Sequence, residues 1–229
     1  MSIKLVVFDM AGTTVEDKDN VHASLIQAFK KYDFSILRED ANKVMGIPKP
    51  VAIQQLLKDE FGIKSPRLND LTVKIHKAFL DDMISFYKND SSVREKKNAS
   101  KIFELLKEKK IKVGIDTGFS RDIADTIIKR LEWKKNNLID FSVTSDEVKN
   151  GRPHPDMIFE AMKIAGIKWS NEVAKVGDTV SDLQEGTSAG CKFVIGITTG
   201  AYTRNELAKA KHTHLITDLM EVADIVTEA

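Results

Sequence analysis

The 229-residue sequence predicts an α/β protein: a doubly wound parallel sheet of Rossmann-like kind with an all-helical cap domain inserted into it. Three observations carry this. A β-branched and aromatic run, Ile3 to Phe8, ends at Asp9; the stretch from about residue 18 to 93 has helical spacing only; from there onward strand and helix signals alternate. Such alternation marks parallel strands joined by helical crossovers on both faces of the sheet. The chain therefore divides into a core of residues 1–16 and 92–229 around a cap of residues 17–91.

Ile3 to Phe8 has the continuous apolar character of a strand buried on both faces. From Val21 to Tyr32, residues Val21, Leu25, Ala28, Phe29 and Tyr32 share one helical face. A second helix opens at Pro50, where proline suits the first turn, and stops near Phe61 before Gly62. A third, Leu68 to Tyr87, repeats Leu71, Ile75, Ala78, Phe79, Met83 and Phe86 at helical spacing. Around Lys88 to Arg94 the pattern loosens into a hinge. Beyond it come a helix near 95–109, strand Ile111 to Asp116, a helix near 121–132 and strand Phe141 to Thr144. A helix near 155–165, strand Val173 to Val176, a helix near 181–188 and strand Lys192 to Ile197 continue the series. It closes with a helix near 203–211 and a last short strand and helix.

Composition narrows the function classes. Charged residues are 30% and apolar ones 42%, a globular balance with ample core. The net charge of +1, with both signs interspersed, argues against a nucleic-acid partner. Apolar runs are strand-sized and the N-terminus has no signal-peptide shape, so no membrane partner and a cytoplasmic setting are expected. Cys191 stands alone, which fits a reducing compartment and a small packed residue rather than a reactive thiol. The five histidines show no convincing ligand spacing.

The polar residues gather at predicted strand ends. Asp9 closes the first strand, at the sheet edge where open α/β proteins bind ligands, and Gly12 lets the chain turn there. A carboxylate so placed can be a metal ligand, a nucleophile or a helix cap. Asp116-Thr117-Gly118 offers a hydroxyl and backbone N–H groups ahead of a helix, suited to phosphate oxygens or simply to capping. Asn150-Gly-Arg-Pro-His-Pro-Asp156 either holds Arg152 rigidly at the sheet rim or leaves it on a proline-stiffened surface loop. Gly177-Asp178-Thr-Val-Ser-Asp182 places two carboxylates four apart, which repel unless a cation lies near. With Asp9 they make a hard, oxygen-rich site of the kind Mg²⁺ prefers.

Taken together, in this order and spacing, the four motifs resemble the haloacid dehalogenase superfamily of phosphotransfer hydrolases. The resemblance covers nearly the whole chain and implies that Asp9 is a nucleophile forming an aspartyl-phosphate. It places Mg²⁺ on Asp9, the Ala11 carbonyl, Asp178 and Asp182, and assigns Thr117 and Arg152 to the phosphoryl oxygens as catalytic groups. Ala11, Gly12, Thr13 and Gly118 would complete the substrate-binding loops, and the cap would select a small-molecule phosphonate or phosphate.

The residue two positions beyond the nucleophile is decisive. Most phosphatases of this superfamily carry a second Asp there, as acid for the leaving alkoxide; here that position is Ala11. Without it a sugar phosphate forfeits about 10²–10⁴ in rate, so the leaving group needs another form of activation. Asp-Met-Ala-Gly-Thr-Thr, Gly-Arg-Pro and Lys-Val-Gly-Asp-Thr-Val-Ser-Asp look like phosphonoacetaldehyde hydrolases, in which a cap lysine forms a Schiff base with the aldehyde. Val44-Met-Gly-Ile-Pro-Lys-Pro-Val51 is similar to that family's Met-Gly-x-x-Lys segment and puts Lys49 in the matching place. A helix dipole beginning there favours the free amine. Taken on composition, a lysine between two prolines is a solvated loop charge.

Three positions depart from the pattern. Ala52 stands where the family has a histidine three residues beyond its lysine, Phe119 where a tyrosine is expected, and Asp19 about where the family's cap linker carries a cysteine. The alternative is a phosphatase for a small metabolite such as a phosphoglycolate-type ester, with Glu16, Asp17 or Asp19 as borrowed acid. Apolar helix faces of the cap are free to pack on the core or to form a homodimer.

Overall fold

The structure is a computed structural model that describes residues 2–45 and 47–227. Six strands form one parallel sheet in the order β3-β2-β1-β4-β5-β6. They are β1 (Leu5–Phe8), β2 (Lys112–Thr117), β3 (Phe141–Thr144), β4 (Val173–Gly177), β5 (Phe193–Ile197) and β6 (His214–Ile216). The chain winds outward from β1 through β2 to β3, then returns to the other side of β1 with β4 and winds outward again. The order reverses between β1 and β4, which places a crevice at their carboxyl ends.

Successive residues of β1 serve opposite faces, as the two-residue strand period requires. Val6 and Phe8 join the larger core with α5 (Ala99–Glu108), α6 (Arg121–Arg130) and α10 (Glu221–Thr227). Leu5 and Val7 join a second core with α7 (Asp156–Ala165), beside which lies α8 (Val180–Ala189). The short α9 (Arg204–Leu207) completes that side. In the larger core the Phe103 ring meets Phe8 at 5.3 Å and Trp133 at 5.4 Å, both edge to face.

Between β1 and α5 the secondary-structure elements among the described residues are four helices: α1 (Asn20–Lys30), α2 (Arg38–Lys43), α3 (Lys49–Asp59) and α4 (Arg67–Asn89). The short α2 has no counterpart among the sequence-predicted helices because Arg38–Lys43 has no apolar period; Ala41 alone is buried. A side-chain bond from the Leu37 N–H to Asp40, at 3.0 Å, starts it instead. Helix α3 begins at Lys49, one residue before the expected Pro50. Gly46, within the Met-Gly-x-x-Lys segment, lies outside the described residues.

The segments leading into and out of this helical insert run side by side. Glu16 N–H donates to Arg94 O at 3.0 Å and Lys96 N–H to Thr14 O at 2.9 Å, with Val15 bridged to Glu95. That pairing holds residues 93–96 extended, so α5 starts at Ala99 instead of near 95. Two further clasps join insert and core: Arg130 donates to Lys88 O and Asp90 O, at 2.8 and 3.0 Å, and the Tyr202 hydroxyl donates to Asn42 O at 2.9 Å. Among the described residues no helix is long and apolar enough to cross a membrane.

Phe103 is fully buried between two aromatic partners. Phe103→Ala is expected to cost about 3–5 kcal/mol, read as a lower urea midpoint with unchanged slope.

Candidate active site

Asp9 comes directly after the last residue of β1, and its N–H donates to Val176 O of β4 at 2.9 Å, so it sits at the crevice. The loop after it is a tight turn in which Thr14 and Val15 N–H groups both return to Met10 O, at 2.9 and 2.8 Å. Gly12 takes φ +87°, where a side chain is strained, and a Cβ there would lie 2.1 Å from Asp178 Oδ2. A Cβ on Gly200 would meet the same oxygen at 2.1 Å. Asp178 is therefore cradled between two glycines, and it accepts from Ala201 N–H at 2.6 Å and from the Thr13 hydroxyl at 3.1 Å.

Asp182 lies one turn into α8. Its Oδ2 accepts from Thr179 N–H at 3.1 Å and from the Thr179 hydroxyl at 2.6 Å, a reciprocal cap that fixes the carboxylate inward. Carboxylate oxygens of Asp9, Asp178 and Asp182 lie within 4.8 Å of one another. A second trio, Asp116, Asp182 and Glu185, is equally close.

Two buried cations hold these groups. Arg152 is 3% exposed, and its guanidinium contacts Asp9 Oδ1 at 2.6 Å, Glu185 Oε2 at 2.9 Å, Asp182 Oδ1 at 3.0 Å and also Asp116. The surface-loop reading of Arg152 is thereby excluded. Lys175, pointing from β4, contacts Glu185 Oε2 at 3.1 Å, Asp182 Oδ1 at 3.3 Å and Asp116. Five carboxylates thus face two cations, and Asp116 Oδ2, Asp182 Oδ1 and Glu185 Oε1 lack an aligned hydrogen-bond donor.

The pKa shifts arise from that imbalance. Burial raises Asp9 to about 6 despite Arg152 beside it. Burial, then Asp9 and Asp182, push Asp178 well above the carboxylate range. Burial also acts on Asp116, but Arg152 and Lys175 outweigh it and hold that carboxyl below its ordinary value. A divalent cation among Asp9, Asp178 and Asp182 would supply the charge the protein leaves out. The donor set, all oxygen with two full carboxylates cradled toward one point, suits a hard cation.

Thr117 ends β2, buried, with its Oγ1 accepting from Phe119 N–H at 3.2 Å. Thr117, Gly118, Arg152, Asp9, Ala11 and Asp178 all line one cavity of about 40 Å³. The sequence-predicted Gly12 and Thr13 stand behind Asp178 instead, and the Gly12 N–H is occupied by Val15 O at 2.9 Å. They shape the carboxylate rather than touch the cavity.

The opposite wall comes from the helical insert. Lys49 is 5% exposed and lines the same cavity, with its Nζ 6.0 Å from the centre of the Phe79 ring. A solvated loop charge is thereby ruled out. Burial lowers its pKa to about 8, against the pull of Asp17 and then Asp9. Asp17 lines the cavity as well, whereas Asp19 turns outward into an ion pair with Arg38 at 2.5 Å.

Asp116, Lys175 and Glu185 have no role in the sequence motifs as read above. One signal for them is present in the chain: a lysine inside an otherwise apolar strand is rarely buried without carboxylate partners. Glu185 lies three residues beyond Asp182 and so shares its helix face.

Comparisons with known proteins identify the family. The family of haloacid dehalogenase-like hydrolases matches residues 6–196. A phosphonoacetaldehyde hydrolase of Bacillus cereus (strain B4264) is 31% identical over 211 residues, covering 88% of this chain and 78% of that protein. A bifunctional phosphonoacetaldehyde hydrolase/aminoethylphosphonate transaminase of Clostridioides difficile is 31% identical over 198 residues. That match covers 82% of this chain but 30% of the longer relative. Among solved structures, a phosphonoacetaldehyde hydrolase-like protein from Oleispira antarctica superposes with a TM-score of 0.85 at 17% identity, covering 100% and 92% of the two chains. A predicted phosphoglycolate phosphatase from Haemophilus somnus superposes with a TM-score of 0.77 at 18% identity, covering 97% of each. At those identities the structural likenesses establish the fold.

Lys175→Met strips one of two cations from a closed set of carboxylates. It is expected to destabilise the fold by about 3–5 kcal/mol in urea unfolding at neutral pH. The loss should shrink as pH falls and the unpaired carboxylates take up protons.

Proposed function

The chain belongs to the haloacid dehalogenase-like hydrolases, and from that premise we propose that it is a phosphonatase-like enzyme that cleaves the carbon–phosphorus bond of phosphonoacetaldehyde or a closely related small phosphonate. The observation that carries this reading is Lys49, buried in the wall of the cavity that Asp9 also lines, with a pKa of about 8. At pH 7 roughly a tenth of such an amine is unprotonated, against well under about a thousandth of an ordinary lysine, and the free amine is the form that makes an imine. The Bacillus and Clostridioides relatives named for this reaction add support.

Mg²⁺ is the cofactor in this reading: Asp9, Asp178, Asp182 and the Ala11 carbonyl would hold it, and it would supply positive charge to the phosphoryl oxygens. The protein's own residues do the rest. Arg152, Thr117 and the Gly118 N–H hold the phosphoryl group, and Arg152 also fixes Asp9 through Oδ1, which leaves Oδ2 to attack phosphorus. As the Asp9 oxygen bonds to phosphorus, the carbon–phosphorus bond breaks and its electron pair passes into the iminium on Lys49. The leaving group is then an enamine, which needs no proton at the moment of departure, and this accounts for Ala11 in the acid position. Water hydrolyses the aspartyl-phosphate.

The cavity lining supports a small phosphoryl substrate that also carries a carbonyl: Thr117, Gly118 and Arg152, which suit phosphoryl oxygens, share it with Lys49. A second reading, a phosphatase for a small ester of the phosphoglycolate type, draws on Asp17 in the cavity wall as a leaving-group acid.

Borohydride added during turnover of phosphonoacetaldehyde is expected to fix a two-carbon unit on Lys49, found by peptide mass analysis. The trapping rate should rise with pH through about 8 and then level, because the depressed pKa of Lys49 sets the fraction of free amine. Lys49→Ala should lose the adduct and the phosphonate turnover while hydrolysis of 4-nitrophenyl phosphate falls far less. Wild-type protein that releases phosphate from phosphoglycolate but forms no adduct would replace this reading with the second.

Removal of divalent ions with EDTA should abolish phosphate release and Mg²⁺ should restore it. Gly200→Ala, whose Cβ would press on Asp178 Oδ2, should raise the Mg²⁺ concentration needed for half-maximal rate by at least about tenfold.

A further inference from the structure

Imine formation needs a group that moves protons as well as an amine. The carbonyl oxygen must gain two protons and leave as water, and the lysine nitrogen must lose one. Ala52, fully buried one helical turn beyond Lys49, has no proton to give. The reaction cavity holds two ionisable groups outside the phosphoryl and metal machinery, Lys49 and Asp17.

Asp17 is built into the cavity wall. It leaves the turn after Asp9 at the start of the insert, and its Oδ1 accepts both backbone N–H groups that open α1, from Asn20 at 2.7 Å and Val21 at 3.3 Å. Those two bonds fix the carboxyl plane and fall on one oxygen only. Among the described residues Asp17 contributes the largest favourable charge interaction that Lys49 feels, ahead of Asp9. Burial raises the carboxyl pKa of Asp17 while it lowers that of Lys49, so the two groups converge in proton affinity. Among the described residues the charged and titratable groups around Asp17 are Lys49 from α3, His22 from α1, Asp19 just before α1, Arg38 from α2, and Tyr87 from α4, whose buried hydroxyl has no partner there.

We propose that Asp17 is the proton-transfer residue of Lys49, carrying protons between the amine and the carbonyl oxygen during imine formation and then standing as counter-ion to the iminium. This role rests on the Schiff-base reading of Lys49. Lys49 Nζ, as free amine, bonds to the aldehyde carbon while the carbonyl electron pair moves to oxygen. The Asp17 carboxyl protonates that oxygen and recovers a proton from the nitrogen, leaving a carbinolamine. The nitrogen lone pair then forms the C=N bond, the C–O bond breaks, and the hydroxyl departs with the Asp17 proton as water. An iminium and the Asp17 carboxylate remain, opposite in charge and in the same cavity.

Asp17→Asn tests this because the amide oxygen can still accept from Asn20 and Val21, so α1 keeps its start. Single-turnover borohydride trapping of phosphonoacetaldehyde on Lys49 is measured in wild type and variant, and each rate is divided by 4-nitrophenyl phosphate turnover of the same preparation. The expected result is a fall in that ratio of about 10²-fold or more in the variant. Trapping in the variant at a ratio within about threefold of wild type would overturn the proposal, and would direct attention to His76, which lines an adjoining cavity of about 250 Å³ that also touches Lys49. Absence of any adduct in wild type would instead overturn the Schiff-base reading itself, and this proposal with it. Asp17→Glu, which keeps the carboxyl but lengthens the reach, should recover part of the lost ratio; no recovery alongside intact α-helical circular dichroism would also count against it.

Discussion

Five carboxylates packed around two buried cations at the point where the sheet reverses direction are the constraint on which the rest of this molecule depends. Moving one charge into a protein interior costs several kcal/mol unless it is paired, and here the pairing is incomplete. Arg152 and Lys175 set two positive charges against Asp116, Asp182 and Glu185, and Arg152 is shared with Asp9 as well, so burial still raises Glu185 to about 8, Asp9 to about 6 and Asp178 well above its ordinary value. The deficit sits where β1 and β4 end, and the loops after both strands are shaped around it. Gly12 and Gly200 are glycines because the Asp178 carboxylate already occupies the space a side chain would take.

The division of labour between the two cations comes from their chemistry. Arg152 has a planar fork that can hold Asp9 with one arm and Asp116 with the other, while Nε binds Glu185. It reaches the reacting carboxylate and the structural ones at once. Lys175, a compact ammonium, fills the space between Asp116, Asp182 and Glu185 and does not line the cavity. One cation faces the chemistry and the other holds it in place.

How much of this is legible in the chain depends on whether a residue's role is local. The strand ends Asp9, Thr117 and Asp178 are readable because hydrophobic runs bounded by polar turns locate them, and the alternation of elements implies the parallel sheet. Arg152 and Lys49 are readable as motif positions but not as buried groups, since burial is decided by what packs over them: Phe79 of α4 for Lys49, four carboxylates from three segments for Arg152. Helix α2 escapes because capping, not apolar periodicity, starts it. Asp17 is readable as one of three neighbouring acids, and only the turn that sends Asp19 outward to Arg38 separates it from the others.

The Tyr202 hydroxyl bond to Asn42 has a mechanical meaning. Its neighbours in sequence serve Asp178: Gly200 leaves the space the carboxylate fills and Ala201 N–H donates to it, so one three-residue stretch shapes the carboxylate with its first two residues and meets the helical insert with its third. A substitution that displaces this stretch would therefore disturb the carboxylate's seat and the insert's anchorage together.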